Sequence, residues 1–162
     1  MAESILSISY INIRGQTGLN IDKQYQIEDF IKVNNCDIIH LQEVNIESDT
    51  FSECSFIESN FSLITNNVEN KYGTASLVKS DLLVENVMCD TAGRFLVFEI
   101  AGVTFANIYL PSGTDATARS NREKYLAEII PQILVKRQVS GCAGGDFNCI
   151  NNTWLGQDRG QP

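Results

Sequence analysis

The sequence predicts a layered α/β sandwich with sheets inside and helices outside. Three observations carry that reading. Hydrophobic spacing switches between period two and period 3.6 in the order strand, helix, strand, several strands, helix, strand. This order is not the regular repeat of a doubly wound sheet. Hydrophobic residues make up 43% and charged residues 20% of the 162 positions, a balance that supports a packed core rather than disorder.

Residues 4–13 (SILSISYINI) alternate, with Leu6, Ile8, Tyr10 and Asn12 on one face and Ile5, Ile11 and Ile13 on the other. They read as a strand ending near Asn12. Gly15 and Gly18 mark a loop. Residues 22–34 read as a helix with Ile27, Phe30 and Ile31 at i, i+3 and i+4, closed by Asn34-Asn35. Residues 36–42 (CDIIHLQ) form a short buried strand leading to Glu43, and residues 45–60, polar and acidic, read as a surface connection. Five further strands are expected at 61–65, 74–79, 82–89, 94–100 and 103–110, the last two joined by a tight turn at Ala101-Gly102. Residues 118–138 give the strongest helix, with Tyr125, Leu126, Ile129, Ile130, Ile133 and Leu134 in one apolar stripe. Pro131 removes a backbone donor inside it, which predicts a kink or an early helix start. Residues 141–148 (GCAGGDFN) read as a final short strand with a polar tip.

No apolar run reaches the roughly 18–20 residues of a membrane helix, and Met1-Ala2-Glu3-Ser4 lacks the basic start of a signal peptide. The five cysteines, at 36, 54, 89, 142 and 149, show no C-x-x-C spacing and read as reduced thiols, some of them in the core, of an intracellular protein. A net charge of −8 argues against nucleic acid as a partner, unless a local basic patch or a bound cation reverses it.

Four polar clusters close predicted strands: Asn12, Gln42-Glu43, Asn107 to Tyr109, and Asp146-Phe147-Asn148. Each alone has an ordinary reading. Glu43 suits a cap on the next turn, Tyr109 a strand tyrosine, Asn12 a turn, and Asp146 with Asn148 an Asx-turn. Their shared placement points to a site at a sheet rim. Two carboxylates and two amides suit a hard cation such as Mg²⁺, with Mn²⁺ as a substitute. His40, the only histidine, sits inside an apolar run with no ligand at zinc spacing and reads as a structural strand residue.

These residues also resemble a family. Asn12 in YINIRG, Gln42-Glu43 in IIHLQEV, Gly73-Thr74-Ala75 in KYGTASLV, Tyr109 in NIYLPSG, and Asp146 with Asn148 in GGDFNCI resemble the endonuclease/exonuclease/phosphatase superfamily. Their order is most similar to the apurinic-like endonuclease domain of non-LTR (LINE-type) retrotransposons. Arg14 favours that branch, since repair-type members usually carry an acidic or amide residue there. The resemblance implies a four-layered α/β sandwich, two mixed sheets flanked by helices. It also implies Mg²⁺-dependent nicking of DNA, leaving a 3′-hydroxyl that primes reverse transcription in the nucleus, with a reverse transcriptase in cis as partner.

Carried over by resemblance, Glu43 ligates the metal, and Asn12 beside it belongs to the metal site, contacting metal water or phosphate. Asp146 orients or deprotonates the attacking water, Asn148 donates to the phosphate and holds Asp146, and Tyr109 stabilises the charged transition state. Candidate DNA contacts are Arg14 and, around the helix start after LPSG, Ser112, Arg119, Arg122 and Lys124, all of which also suit a solvated surface.

The family closes with a Ser-Asp-His-like motif, which this sequence lacks, having no histidine after His40. The expectation is therefore that residues 1–162 are the N-terminal and central part of the domain, cut within a loop, and that the isolated chain nicks poorly. An abasic-site repair endonuclease, a phosphoesterase of the same superfamily, and a non-catalytic retroelement remnant are the alternatives.

Overall fold

The computed structural model describes residues 5–14, 19–46, 50–68, 71–129, 131 and 141–148. The order of elements is β1 (Ile8–Asn12), α1 (Ile21–Asn34), β2 (Ile38–Val44), α2 (Ser55–Asn60), β3 (Phe61–Val68), β4 (Lys71–Lys79), β5 (Val84–Cys89), β6 (Phe95–Ile100), β7 (Val103–Tyr109), α3 (Ala116–Lys124) and β8 (Gly141–Asp146). The strands form two mixed sheets of four, in the orders β1-β2-β4-β3 and β5-β6-β7-β8. Each sheet ends in one parallel pair, β1 with β2 and β7 with β8, and the other pairings are antiparallel.

Alternation along the strands sorts the side chains into layers. Ile39, Leu41, Ala75 and Leu77 leave the first sheet on its outer side and pack with Ile27 and Ile31 of α1 and Ile57 of α2. Ile38 and Val78 face inward and meet Phe98, Ile100 and Phe105 of the second sheet. Phe95, Val97, Ala106, Ile108 and Leu110 leave the second sheet outward and receive Tyr125 from the segment after α3. The molecule is thus helix, sheet, sheet, helix, the expected four layers.

Helix α1 begins where its chemistry predicts. The Asn20 side chain accepts from Lys23 N at 3.0 Å, and Asn35, left-handed at φ 48°, closes the helix with its N–H on the Ile31 carbonyl. Three expectations need correction. Phe30 is 38% exposed rather than core, because the stripe from Ile27 to Ile31 is narrower than the spacing suggests. The stretch 45–60 is not merely a surface connection: Ile46, Phe51, Cys54 and Ile57 are buried, and α2 lies within it. Its polar residues outnumber these four anchors, which conceals the packing. The long helix expected at 118–138 instead starts at Ala116, where Asp115 accepts from Ala118 N at 2.8 Å, and widens to a π-turn over Tyr125–Ile129. This widening immediately precedes Pro131, which lacks the donor a regular helix needs. Residues 132–140, which carried the rest of that helix, lie outside the described residues.

Cys36 and Cys54 are buried and Cys89 and Cys142 exposed, all four as free thiols; Cys149 lies outside the described residues. His40 is fully buried, stacked on Tyr10 with ring centroids 4.7 Å apart and bonded through Nδ1 to Ser76 Oγ at 2.7 Å.

Candidate active site

Both parallel pairs point their C-terminal ends to the same rim. In register, Asn12 stands beside Gln42 and Tyr109 beside Asp146, so β1 and β8 bring an amide and a carboxylate face to face. Asn12 Nδ2 donates to Asp146 Oδ2 at 2.6 Å and to Glu43 Oε1 at 3.0 Å. Its Oδ1 accepts from Arg14 N at 2.8 Å, and Lys23 Nζ pins the carbonyls of Ile13 and Arg14 at 3.0 and 3.4 Å. The chain leaving β1 is thereby held so that Asn12 offers its NH₂, not its oxygen, to the two carboxylates.

Glu43 reaches the rim through a β-bulge. Strict alternation puts it on the helix side with Ile39 and Leu41. The pairing with β4 shifts register between Gln42 and Val44, and Glu43 takes the left-handed φ of 56°. The even-numbered Val44 accordingly joins Ile39 and Leu41 in the outer core, with one residue absorbed by the bulge.

The opposite wall belongs to the second sheet. Asn148, also left-handed at φ 47°, donates its backbone N–H to Asp146 Oδ1 at 2.9 Å and its side-chain Nδ2 to the Leu110 carbonyl at 2.8 Å. Leu110 N in turn donates to the Asp146 carbonyl at 2.9 Å. Tyr109 is buried, and burial together with the charge of Glu43 raises its phenol; Arg94 lowers it, and Asp146 adds a smaller rise.

Arg94 is the residue that the sequence reading missed. Its guanidinium lies 4.4 Å from the centroid of the Tyr109 ring, and its carbonyl accepts from Tyr109 N at 2.9 Å. Asp90 fixes it, accepting from Arg94 N and Phe95 N at 2.7 and 2.9 Å, and from Asn66 of the first sheet at 3.0 Å. The available signal was an Asp-x-x-Gly turn delivering one arginine at the mouth of an apolar strand.

The structure therefore gathers Asn12, Glu43, Tyr109, Asp146 and Asn148 at one rim. Among the candidate DNA contacts, Arg14 is exposed directly beside Asn12, and Ser112 and Arg119 are exposed at or near the start of α3; Lys124, expected near that start, is exposed at the far end of the helix. Arg122 is engaged, donating to the carbonyls of Pro111 and Gly113 at 2.9 and 2.7 Å. Among the described residues no helix is long and apolar enough to cross a membrane, and no cluster of three or more His, Cys, Asp or Glu side chains forms. A rim of two carboxylates, short of a full protein cage, matches the donor set of Mg²⁺, which keeps waters and substrate oxygens in its shell.

No protein-family model and no curated protein matches the chain. Solved structures do. The chain superposes over 91% of its length on TDP2 from C. elegans, with TM-score 0.68 and 22% identity, covering 49% of that chain. It superposes over 89% on an AP endonuclease from Archaeoglobus fulgidus (TM-score 0.64, 19% identity, 58% of that chain). With the 3′ phosphatase NExo from Neisseria bound to a product DNA hairpin, the values are 88%, 0.65, 17% and 57%. The likeness is one of fold: the chain shares the two-sheet sandwich of these structures and spans about half of their length.

Proposed function

We propose that the chain carries the metal-binding and water-orienting part of a Mg²⁺-dependent DNA endonuclease site of the LINE retroelement type. The observation that carries the reading is the Asn12 amide, bonded at once to Glu43 from one sheet and Asp146 from the other. Glu43 holds the cation, with Mn²⁺ as a substitute, and Asn12 sets its spacing from Asp146 rather than serving as an oxygen ligand. When bound, the metal supplies positive charge to a phosphodiester whose negative charge grows in the transition state. Asp146, fixed by the Asn148 and Leu110 N–H groups, accepts a proton from the attacking water. Tyr109, kept protonated by burial and by the neighbouring carboxylates, donates to a phosphate oxygen, with the Arg94 cation behind its ring. Arg14, Ser112 and Arg119 contact flanking phosphates.

The retroelement reading rests on the phrases NIYLPSG and GGDFNCI and on Arg14. Nuclear DNA as target and a reverse transcriptase in cis follow from it. A repair-type reading is favoured instead by the likeness to an AP endonuclease.

The 162-residue chain is expected to bind Mn²⁺ and to relax supercoiled plasmid poorly, since no histidine follows His40 to support the scissile phosphate. Electron paramagnetic resonance titration with Mn²⁺ and plasmid relaxation in Mg²⁺ test this. Wild-type binding lost in Glu43→Gln supports the metal site, and its absence in wild type overturns it. Robust relaxation abolished by Asp146→Asn overturns the expectation of weak activity. Cleavage of an abasic duplex in preference to an unmodified one replaces the retroelement reading with the repair reading.

A further inference from the structure

One layer beneath the rim, the apolar seam between the sheets is interrupted by two amides. Gln42 and Asn107 are 1% and 0% exposed. Gln42 Nε2 of the first sheet donates to Asn107 Oδ1 of the second at 2.7 Å. Asn107 Nδ2 returns two bonds, to the carbonyls of Leu41 at 3.0 Å and Ala75 at 2.8 Å. The other hydrogen of Gln42 reaches the His40 carbonyl at 3.3 Å. All four amide hydrogens are thus used, and three of the bonds cross between sheets.

Stability alone gives no reason for this knot. Replacing both members of a buried hydrogen-bonded pair by apolar groups of similar shape is nearly neutral, because it removes both desolvation costs together. Directional bonds do something that Ile38 and Phe105 contacts do not: they fix how far one sheet slides over the other. The knot stands where such sliding matters. Gln42 precedes Glu43, and Leu41 and Ala75 belong to the strand pair that carries the bulge. Asn107 shares a face with Tyr109, and its register partner Gly144 lies two residues before Asp146.

We propose that Asn107, through Gln42, is a positioning residue that sets the separation of Glu43 and Asp146 across the seam. The inference rests on the reading of that rim as a metal site. Asn107 touches no reacting atom; it acts by holding the two strands whose ends carry the carboxylates.

The test compares Asn107→Leu, Gln42→Met and the double variant in the full chain. Asn107→Leu takes the acceptor from one Gln42 hydrogen and the side-chain donor from the Leu41 and Ala75 carbonyls, and lowers the melting temperature by several degrees. The double variant recovers most of that loss, yet its Mn²⁺ affinity stays roughly 10-fold or more below wild type. A second readout needs no metal. In ¹⁵N-edited NMR spectra the Asn12 side-chain NH₂ pair, which spans both carboxylates, shifts in the double variant. Ile100→Val, a core change away from the knot, lowers the melting temperature and moves neither readout. Should the double variant fail to fold, Gln42→Met retains the Asn107 bonds to Leu41 and Ala75, and is expected to weaken Mn²⁺ by an intermediate factor. Wild-type Mn²⁺ affinity with unmoved Asn12 resonances in a refolded double variant, or in Gln42→Met, overturns the proposal. If wild type binds no Mn²⁺, the metal reading falls, and the Asn12 resonances still decide the positioning role.

Discussion

Asn12 and Asp146, 134 positions apart in the chain, meet at 2.6 Å across the gap between the two sheets. The same amide nitrogen holds Glu43, so one asparagine keeps two carboxylates apart and aligned. Asn12→Ala removes the donor shared by both. We expect metal affinity, read by Mn²⁺ titration, to fall by about 10–100-fold, and urea unfolding to show a loss of about 1–2 kcal/mol.

His40 makes acid stability a direct readout of the inner core. Burial draws its imidazole down from 6.5 to about 3. The unfolded chain takes up the proton near 6.5 and the folded one only near 3. The stabilisation is therefore complete above the higher value and is lost as pH falls between the two, at about 1.4 kcal/mol per pH unit. Urea unfolding from pH 7 to pH 4 should show that slope. The double substitution His40→Phe/Ser76→Ala retains the stacking, leaves no orphaned hydroxyl and should flatten the curve.

Arg94 and Tyr109 form the cationic corner of the site. Arg94→Gln removes the group that opposes the upward pull of burial and Glu43 on the phenol. Tyr109 should then ionise at higher pH, as measured by ultraviolet difference titration with Tyr109→Phe as the assignment control. Any nicking activity should fall with it, by about 10-fold or more if the cation stabilises transition-state charge. An unchanged Tyr109 titration would remove Arg94 from the electrostatics of the site.

Gly145 cannot be replaced without moving β8. Its φ is 140°, and a Cβ there would stand 1.8 Å from the Ile108 carbonyl oxygen. Gly145→Ala should cost about 3 kcal/mol in equilibrium unfolding, as backbone strain and overpacking act together. Because Asp146 is the next residue, Mn²⁺ affinity should fall as well. A variant as stable as wild type would contradict the geometry.

The layers were legible because alternation is a local property. Leu6, Ile8 and Tyr10 against Ile11 and Ile13 already separate the two faces of β1, and Asn20 and Asn35 punctuate α1 through their own side chains. The polar strand tips announced a rim for the same reason. What escaped depends on distant partners. Nothing in IIHLQEV reveals the bulge, which arises from pairing with Gly73 and Thr74 some thirty residues later. Asn107 read as another rim residue because its companions, Gln42 and the Leu41 and Ala75 carbonyls, arrive from the other sheet. Arg94 stood unremarked at a strand start until the fold set Tyr109 beneath it.

The two sheets are also consecutive in the chain: β1 to β4 lie between Ile8 and Lys79, and β5 to β8 between Val84 and Asp146. Asn12 and Glu43 thus come from one half, and Tyr109, Asp146 and Asn148 from the other. Neither half owns both carboxylates. During synthesis the first sheet can pair its strands while the second is still unmade, and the rim is assembled only when the halves dock. The rim is in this sense a late product of folding, so a nascent or half-collapsed chain holds its two carboxylates apart and unaligned.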